Sequence, residues 1–413
     1  MTHYTKFILY ILLFSVLFSC GRDSASGEQD TDPTPNPPDT GQNDGVTTAN
    51  VRTYMTDKNA TDETVALFYN LYKNAGSKIL LGHEDAFYSW YQDDSSESDV
   101  KKATGSDPAM IGLDFMFITD KNYEDNSSNW YWQQEKKITD AAKEAYSKGM
   151  AVTFCWHLRE PFEEKEFYAS NMTEEQKTKA FKSILPGGQN NDWYKKKLDK
   201  VASVLSNLKG SDGKLIPVIF RPFHEFDGSW FWWGASFCTP AEYQQVWQFT
   251  VNYLRDTKNV HNVLYAYSPD QSYANSASYL QRYPGDAYVD ILGMDNYEDF
   301  KSQNASGVTK ANGKLKMISD LGIEKKKIAA LTETGYSSKN STARIATHFT
   351  SLVFPAITDQ DIKIAYINFW SNSKNEYYVP TKATPYAENF DAFTSKAKIV
   401  LQRNIGSSIY KLP

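Results

Sequence analysis

Apolar residues fall in short runs along this chain, each followed by polar or aromatic residues, with helical repeats between most of them. The runs lie at 78–81, 109–114, 151–156, 216–220, 263–267, 289–294, 328–332 and 363–369. Unbroken apolar runs of this length mark strands buried on both faces. Helical spacing occupies 64–74, 135–147, 193–208, 242–255, 314–321 and 342–352. Thr61 or Asp62 is placed to cap the first helix, and Pro240 to open the fourth as a first-turn proline. Eight strand-then-helix units predict one (β/α)8 TIM barrel, α/β in class, over residues 50–413. A doubly wound sheet is the competing arrangement, but no Gly-x-Gly-x-x-Gly turn follows an early strand.

In such a barrel the chemistry sits where the strands end. Those ends read His83-Glu84-Asp85, Asp114, Trp156-His157, Arg221 with His224-Glu225, Asp270, Asp295 with Tyr297, Glu333 and Trp370. Polar and aromatic groups recur at every exit, whereas Val152, Phe154, Val218, Phe220, Ile291 and Ile364 keep the strand interiors apolar. The run from Leu215 to Gly234 is the densest: a buried strand, then Arg221, His224 and Glu225, then Trp230, Phe231, Trp232 and Trp233. Taken alone it fits either an aromatic core plug or a sugar site, where rings stack on pyranose faces. Glu333 follows Glu225 at a distance of three strand-helix units, which puts the two across the barrel mouth. Glycoside cleavage needs such a pair, with a gap of ~5–5.5 Å for retention or ~6.5–9.5 Å for inversion.

Composition narrows the class. Aromatics make up 15% of 413 residues, many of them in loop-like sequence. A net charge of −6 with no basic stripe speaks against nucleic acid. At the N-terminus, Lys6 precedes an apolar run from Phe7 to Phe18, too short for a membrane span, ending in Leu17-Phe18-Ser19-Cys20. That ending resembles a bacterial lipobox, which implies an exported lipoprotein with residues 1–20 as signal and Cys20 as the lipid attachment. Residues 21–49 read as a tether, with six acidic residues against one Arg up to Gly45. Cys155 and Cys238 remain, expected as buried thiols, although export would permit a disulfide. No His or Cys spacing of a metal site occurs, and neither a metal nor a cofactor is expected.

The segment Arg221-Pro222-Phe223-His224-Glu225-Phe226-Asp227-Gly228-Ser229-Trp230-Phe231-Trp232-Trp233-Gly234 resembles the acid/base signature of glycoside hydrolase family 26, mostly β-mannanases. Thr332-Glu333-Thr334-Gly335 resembles that family's nucleophile strand. The resemblance implies a retaining enzyme cleaving β-1,4-mannosidic bonds, acting as a monomer on β-mannan. It assigns Glu225 as acid/base and Glu333 as nucleophile. His224 is expected to hydrogen-bond and orient a catalytic carboxylate, and Tyr297 to contact the nucleophile. His157, Trp230, Trp370, Asp295 and Arg221 are expected to bind substrate, Arg221 alternatively bracing its strand. Where some mannanases carry Arg after the last strand's Trp, this chain has Ser371. A β-1,3-xylanase or mixed-linkage glucanase of the same fold, and a non-catalytic glycan-binding protein, are the alternatives.

Overall fold

The computed structural model describes residues 45–406 and 408–413. The expected signal, Cys20 and the expected tether up to residue 44 lie outside the described residues. Val46 is already in the core, and the backbone N–H of Thr47 donates to the Asn50 side chain in a local turn.

Eight parallel strands close into a barrel: β1 (Ile79–Glu84), β2 (Met110–Asp114), β3 (Ala151–Trp156), β4 (Val218–Pro222), β5 (Val263–Tyr267), β6 (Ile291–Asn296), β7 (Ile328–Thr334) and β8 (Tyr366–Phe369). Each pairs with the next, and β1 closes the ring by pairing with both β8 and β2. Every strand residue is buried except Asp114, which is partly so. The eight expected strands are all present, and their ends differ for physical reasons. β1 runs three residues past the apolar stretch because Gly82, His83 and Glu84 continue the ladder toward β2. β4 starts only at Val218, after Pro217, which has no N–H to give a neighbour.

A ninth strand, β9 (Ile399–Val400), was not anticipated. It pairs with Ile79 and Leu80, the part of β1 that lies before its pairing with β2 begins at Gly82. The C-terminal segment thereby fills the seam at the end of the barrel opposite the strand exits.

Helices cover the outside. Thr61 caps Asp62–Asn74 by accepting from the Thr64 N–H, and Thr239 with Glu242 forms a capping box around Pro240 at the start of Pro240–Asn252. The helix expected at 314–321 is far longer, Ala305–Lys325, because Gly307, Gly313 and Gly322 hid its periodicity. Gly307 is required there: a Cβ would lie 1.9 Å from the Asp299 carbonyl oxygen. The stretch at 342–352 is corrected to a π-helical turn, His348–Val353, running into Phe354–Thr358. Short helices at Asp99–Thr104, Glu174–Ser183 and Ala387–Thr394 carried too little periodicity to be read.

Candidate active site

The strand exits surround an open cleft of about 590 Å³, lined by His157, Tyr168, Glu225, Trp230, Tyr297, Glu333, Trp370 and Tyr378 among others. Glu333 stands on β7 and is buried. Its two oxygens are held separately: Arg221 Nη2 donates to Oε2 at 2.6 Å and the Tyr297 hydroxyl to Oε1 at 2.7 Å. Glu225 follows β4 on a backbone in the left-handed region, φ +52°, as does Phe223 at +51°. Side-chain-bearing residues adopt this conformation at a cost. A bond from the Glu225 N–H to the Ser268 carbonyl, 2.8 Å, holds the turn and aims the carboxylate into the cleft. Carboxylate oxygens of Glu225, Asp295 and Glu333 come within 4.8 Å of one another. The cation among these three acids is the Arg221 guanidinium.

The environments of the two glutamates differ. Burial, reinforced by the charges of Glu333, Asp295 and Asp270, pushes the Glu225 carboxyl well above the usual carboxylate range. The Trp230 indole N–H donates to Glu225 Oε2 at 2.6 Å and opposes that rise only partly. Glu333 instead receives two donors, one of them cationic.

Two expected roles are corrected. His224 makes no hydrogen bond to a carboxylate: its Nδ1 is buried without a partner, and its ring packs edge-on against His157 at 4.6 Å. Burial, then the neighbouring His157 and Arg221, hold His224 well below the usual histidine range, so it is neutral. Arg221 does the holding foreseen for His224, beside the contact to the nucleophile that was expected of Tyr297. Asp295 does not face substrate either. It is fully buried, accepting from Arg221 Nη1 at 2.8 Å and from the hydroxyls of Ser268 and Thr332 at 2.7 Å each. Arg221, itself 1% exposed, thus braces two carboxylates and does not reach the cleft.

His157 lies in the cleft with Nδ1 2.7 Å from Asp114 Oδ2 and its ring 6.1 Å from Trp370. Burial disfavours its charge, but Asp114 outweighs that and raises its pKa. Trp370 lines the cleft beside His157, and Trp230 stands over Gly228, where a Cβ would come within 2.3 Å of the indole. Trp232 and Trp233 are core, their indoles donating to the carbonyls of Leu158 and His224, while Phe231 stacks on Trp233 and also lines the cleft. His83 is buried beneath the cleft, and Asp85 accepts from the Tyr88 hydroxyl as a loop brace. Cys155 and Cys238 are free and buried. Sequence reasoning missed Tyr168 and Tyr378, which line the cleft from long loops. Tyr168 lacked a strand end to mark it.

Residues 56–384 match the profile of glycosyl hydrolase family 26. A mannan endo-1,4-beta-mannosidase of Bifidobacterium adolescentis is 34% identical over 83% of this chain and 35% of its own length. One from Bacillus subtilis is 28% identical over 48% of this chain and 52% of its own. The chain therefore spans about a third to a half of the length of these relatives. Among solved structures, GH26C from a Muricauda species superposes with a TM-score of 0.88 at 50% identity, covering 89% of this chain and 98% of that one. The GH26 beta-mannanase of Bacteroides ovatus gives 0.75 at 31% identity, covering 85% and 98%. With the barrel, the paired glutamates and these matches together, the chain belongs to glycosyl hydrolase family 26.

Proposed function

We propose that the protein hydrolyses β-1,4-mannosidic bonds in β-mannans with retention of configuration, as a mannan endo-1,4-beta-mannosidase. The observation that carries this is the separation of Glu225 and Glu333, whose nearest oxygens are within 4.8 Å. This suits the ~5–5.5 Å of a double displacement better than the ~6.5–9.5 Å of an inverting pair. Glu225 is the acid/base. It holds a proton because burial and the charge of Glu333 penalise its anion, and it gives that proton to the leaving oxygen. Glu333 is the nucleophile, its attacking direction set by Arg221 and Tyr297. Attack converts Glu333 to an ester and removes its charge. The repulsion that kept Glu225 protonated then falls, and the Glu225 anion left by proton transfer can take the proton from the incoming water. Trp370 and Trp230 are the stacking walls, with His157 reading a hydroxyl between them.

The test is hydrolysis of glucomannan, galactomannan, lichenan and β-1,3-xylan by the wild type, Glu225→Ala and Glu333→Ala, with the product anomer followed by NMR. The β-anomer should form first from the mannans. Glu333→Ala should be inactive on every substrate, whereas Glu225→Ala should spare aryl mannosides with good leaving groups. Equal losses on both substrate types in Glu225→Ala, or preferred cleavage of xylan or lichenan, would refute the assignment.

We also propose that the chain is a lipoprotein anchored through Cys20, on the strength of the residues around it. No helix among the described residues is long and apolar enough to cross a membrane. Labelled palmitate should enter the wild type and not Cys20→Ser; label in both rules the anchor out.

A further inference from the structure

Among the described residues the exposed large hydrophobic side chains are Trp130, Phe162, Tyr168, Trp230 and Leu412. The four aromatic ones all lie on segments that follow β2, β3 and β4, on the face that carries the cleft. Tyr168 and Trp230 belong to the cleft itself. Trp130 does not, yet it is the most exposed of the group, at 51%. It opens the helix Trp130–Ser147 behind an Asn129 cap, with no core contact of its own to satisfy.

The ring is nonetheless held in place. Phe117 packs against it at 4.9 Å and 79°, and Tyr131 at 5.1 Å and 89°. Two edge-to-face contacts fix the plane of the indole while half of its surface stays in water. The turn leading into it, Asn126-Ser127-Ser128-Asn129, is uncharged and largely exposed, although the Asn126 side chain accepts from Ser128 and that of Asn129 caps the helix. A fixed flat ring flanked by uncharged hydrogen-bonding groups matches a neutral polyol with apolar faces better than it matches a charged or purely apolar ligand.

The position is continuous with the cleft. Phe117 lies three residues beyond Asp114, which holds His157, and three residues of chain reach at most ~10 Å. Lys121 donates to the Glu163 carbonyl at 2.5 Å and Arg159 pairs with Asp120 at 3.1 Å, tying the segment that carries Phe117 to the loop that carries Tyr168. The two loops form one rim.

We propose that Trp130, braced by Phe117 and Tyr131, is a stacking platform for a β-mannan chain where it leaves the catalytic cleft. This rests on the mannanase reading above. The platform adds affinity for polymer and nothing to chemistry at the scissile bond, so it acts only on substrates long enough to reach it.

Affinity electrophoresis in gels containing glucomannan tests binding without turnover, using Glu333→Ala alone and combined with Trp130→Ala. In the otherwise native enzyme, the ratio of kcat/KM on glucomannan to that on mannotriose tests the length dependence. Trp130→Ala should weaken retardation and lower that ratio by about fivefold, the scale of one exposed aromatic contact, while Trp130→Tyr should restore both. Thermal melting of Trp130→Ala close to wild type shows that the fold is intact. Unaltered retardation and ratio in Trp130→Ala overturn the platform, as does an equal loss on both substrates. Trp130-dependent retardation by a β-1,3-glucan equal to that by glucomannan overturns the choice of ligand. Failure of the wild type to cleave any mannan is read separately, since retardation requires no cleavage.

Discussion

At the scale of single residues, Glu225 and Glu333 show how one side chain is given two chemistries. Glu225 is crowded by negative charge and partly buried, whereas Glu333 sits in the fork of Arg221. The raised pKa of Glu225 has a measurable sign. The folded state favours the protonated carboxyl, so its stabilising effect is complete below the ordinary value near 4.3 and is lost as pH rises toward the raised value. Glu225→Gln keeps an acceptor for Trp230 and removes that penalty. Its melting temperature should match the wild type near pH 4 and exceed it by pH 8; a gain that shrinks with rising pH would contradict this. Arg221→Lys keeps the charge but cannot fork between Asp295 and Glu333. We expect kcat to fall by at least a hundredfold, with destabilisation of about 3 kcal/mol from the carboxylate left unpaired in the barrel, read by denaturant unfolding. The two glutamates were legible in the sequence because each follows an apolar run. The partners of Glu333 were only half legible, since adjacency suggested His224 while the hydrogen bonds come from β4 and from the exit of β6. Such contacts depend on barrel curvature, which no local pattern encodes.

At the scale of elements, the exit of β4 is the most constrained segment. Two residues with positive φ, Phe223 and Glu225, lead into Gly228 and the ring of Trp230 above it. Gly228→Ala should displace that ring and break its bond to Glu225, costing about 1–3 kcal/mol by overpacking and shifting the alkaline limb of the pH–rate profile. An unchanged profile would show that Trp230 does not tune Glu225. Strands were easier to read than helices here, because burial on both faces writes an unbroken apolar run. Ala305–Lys325 carries three glycines and polar residues on its outer face, which dilute a helical repeat below recognition.

At the scale of the whole molecule, the barrel class was legible because eight runs of similar length recur, with helical patterns between most of them. Its closure was not. β9 is two residues long and carries no periodicity, yet it occupies the gap beside the start of β1. Ile399 is 2% exposed, and Ile399→Ala should cost roughly 2–5 kcal/mol while leaving KM for mannan unaltered, since it lies at the far end from the cleft. A KM change with no loss of stability would show that the seam communicates with the site. The same seam also sets an order of events. The first strand of the body cannot complete its pairing until the segment beyond the last barrel strand has been made, so a growing chain holds an unfinished edge throughout its synthesis. Barrels fastened in this way fold late and as a unit, and are open to aggregation until then. A chain still being made is therefore better served by being kept unfolded than by folding piecemeal, with the Ile399–Val400 segment acting as the clasp.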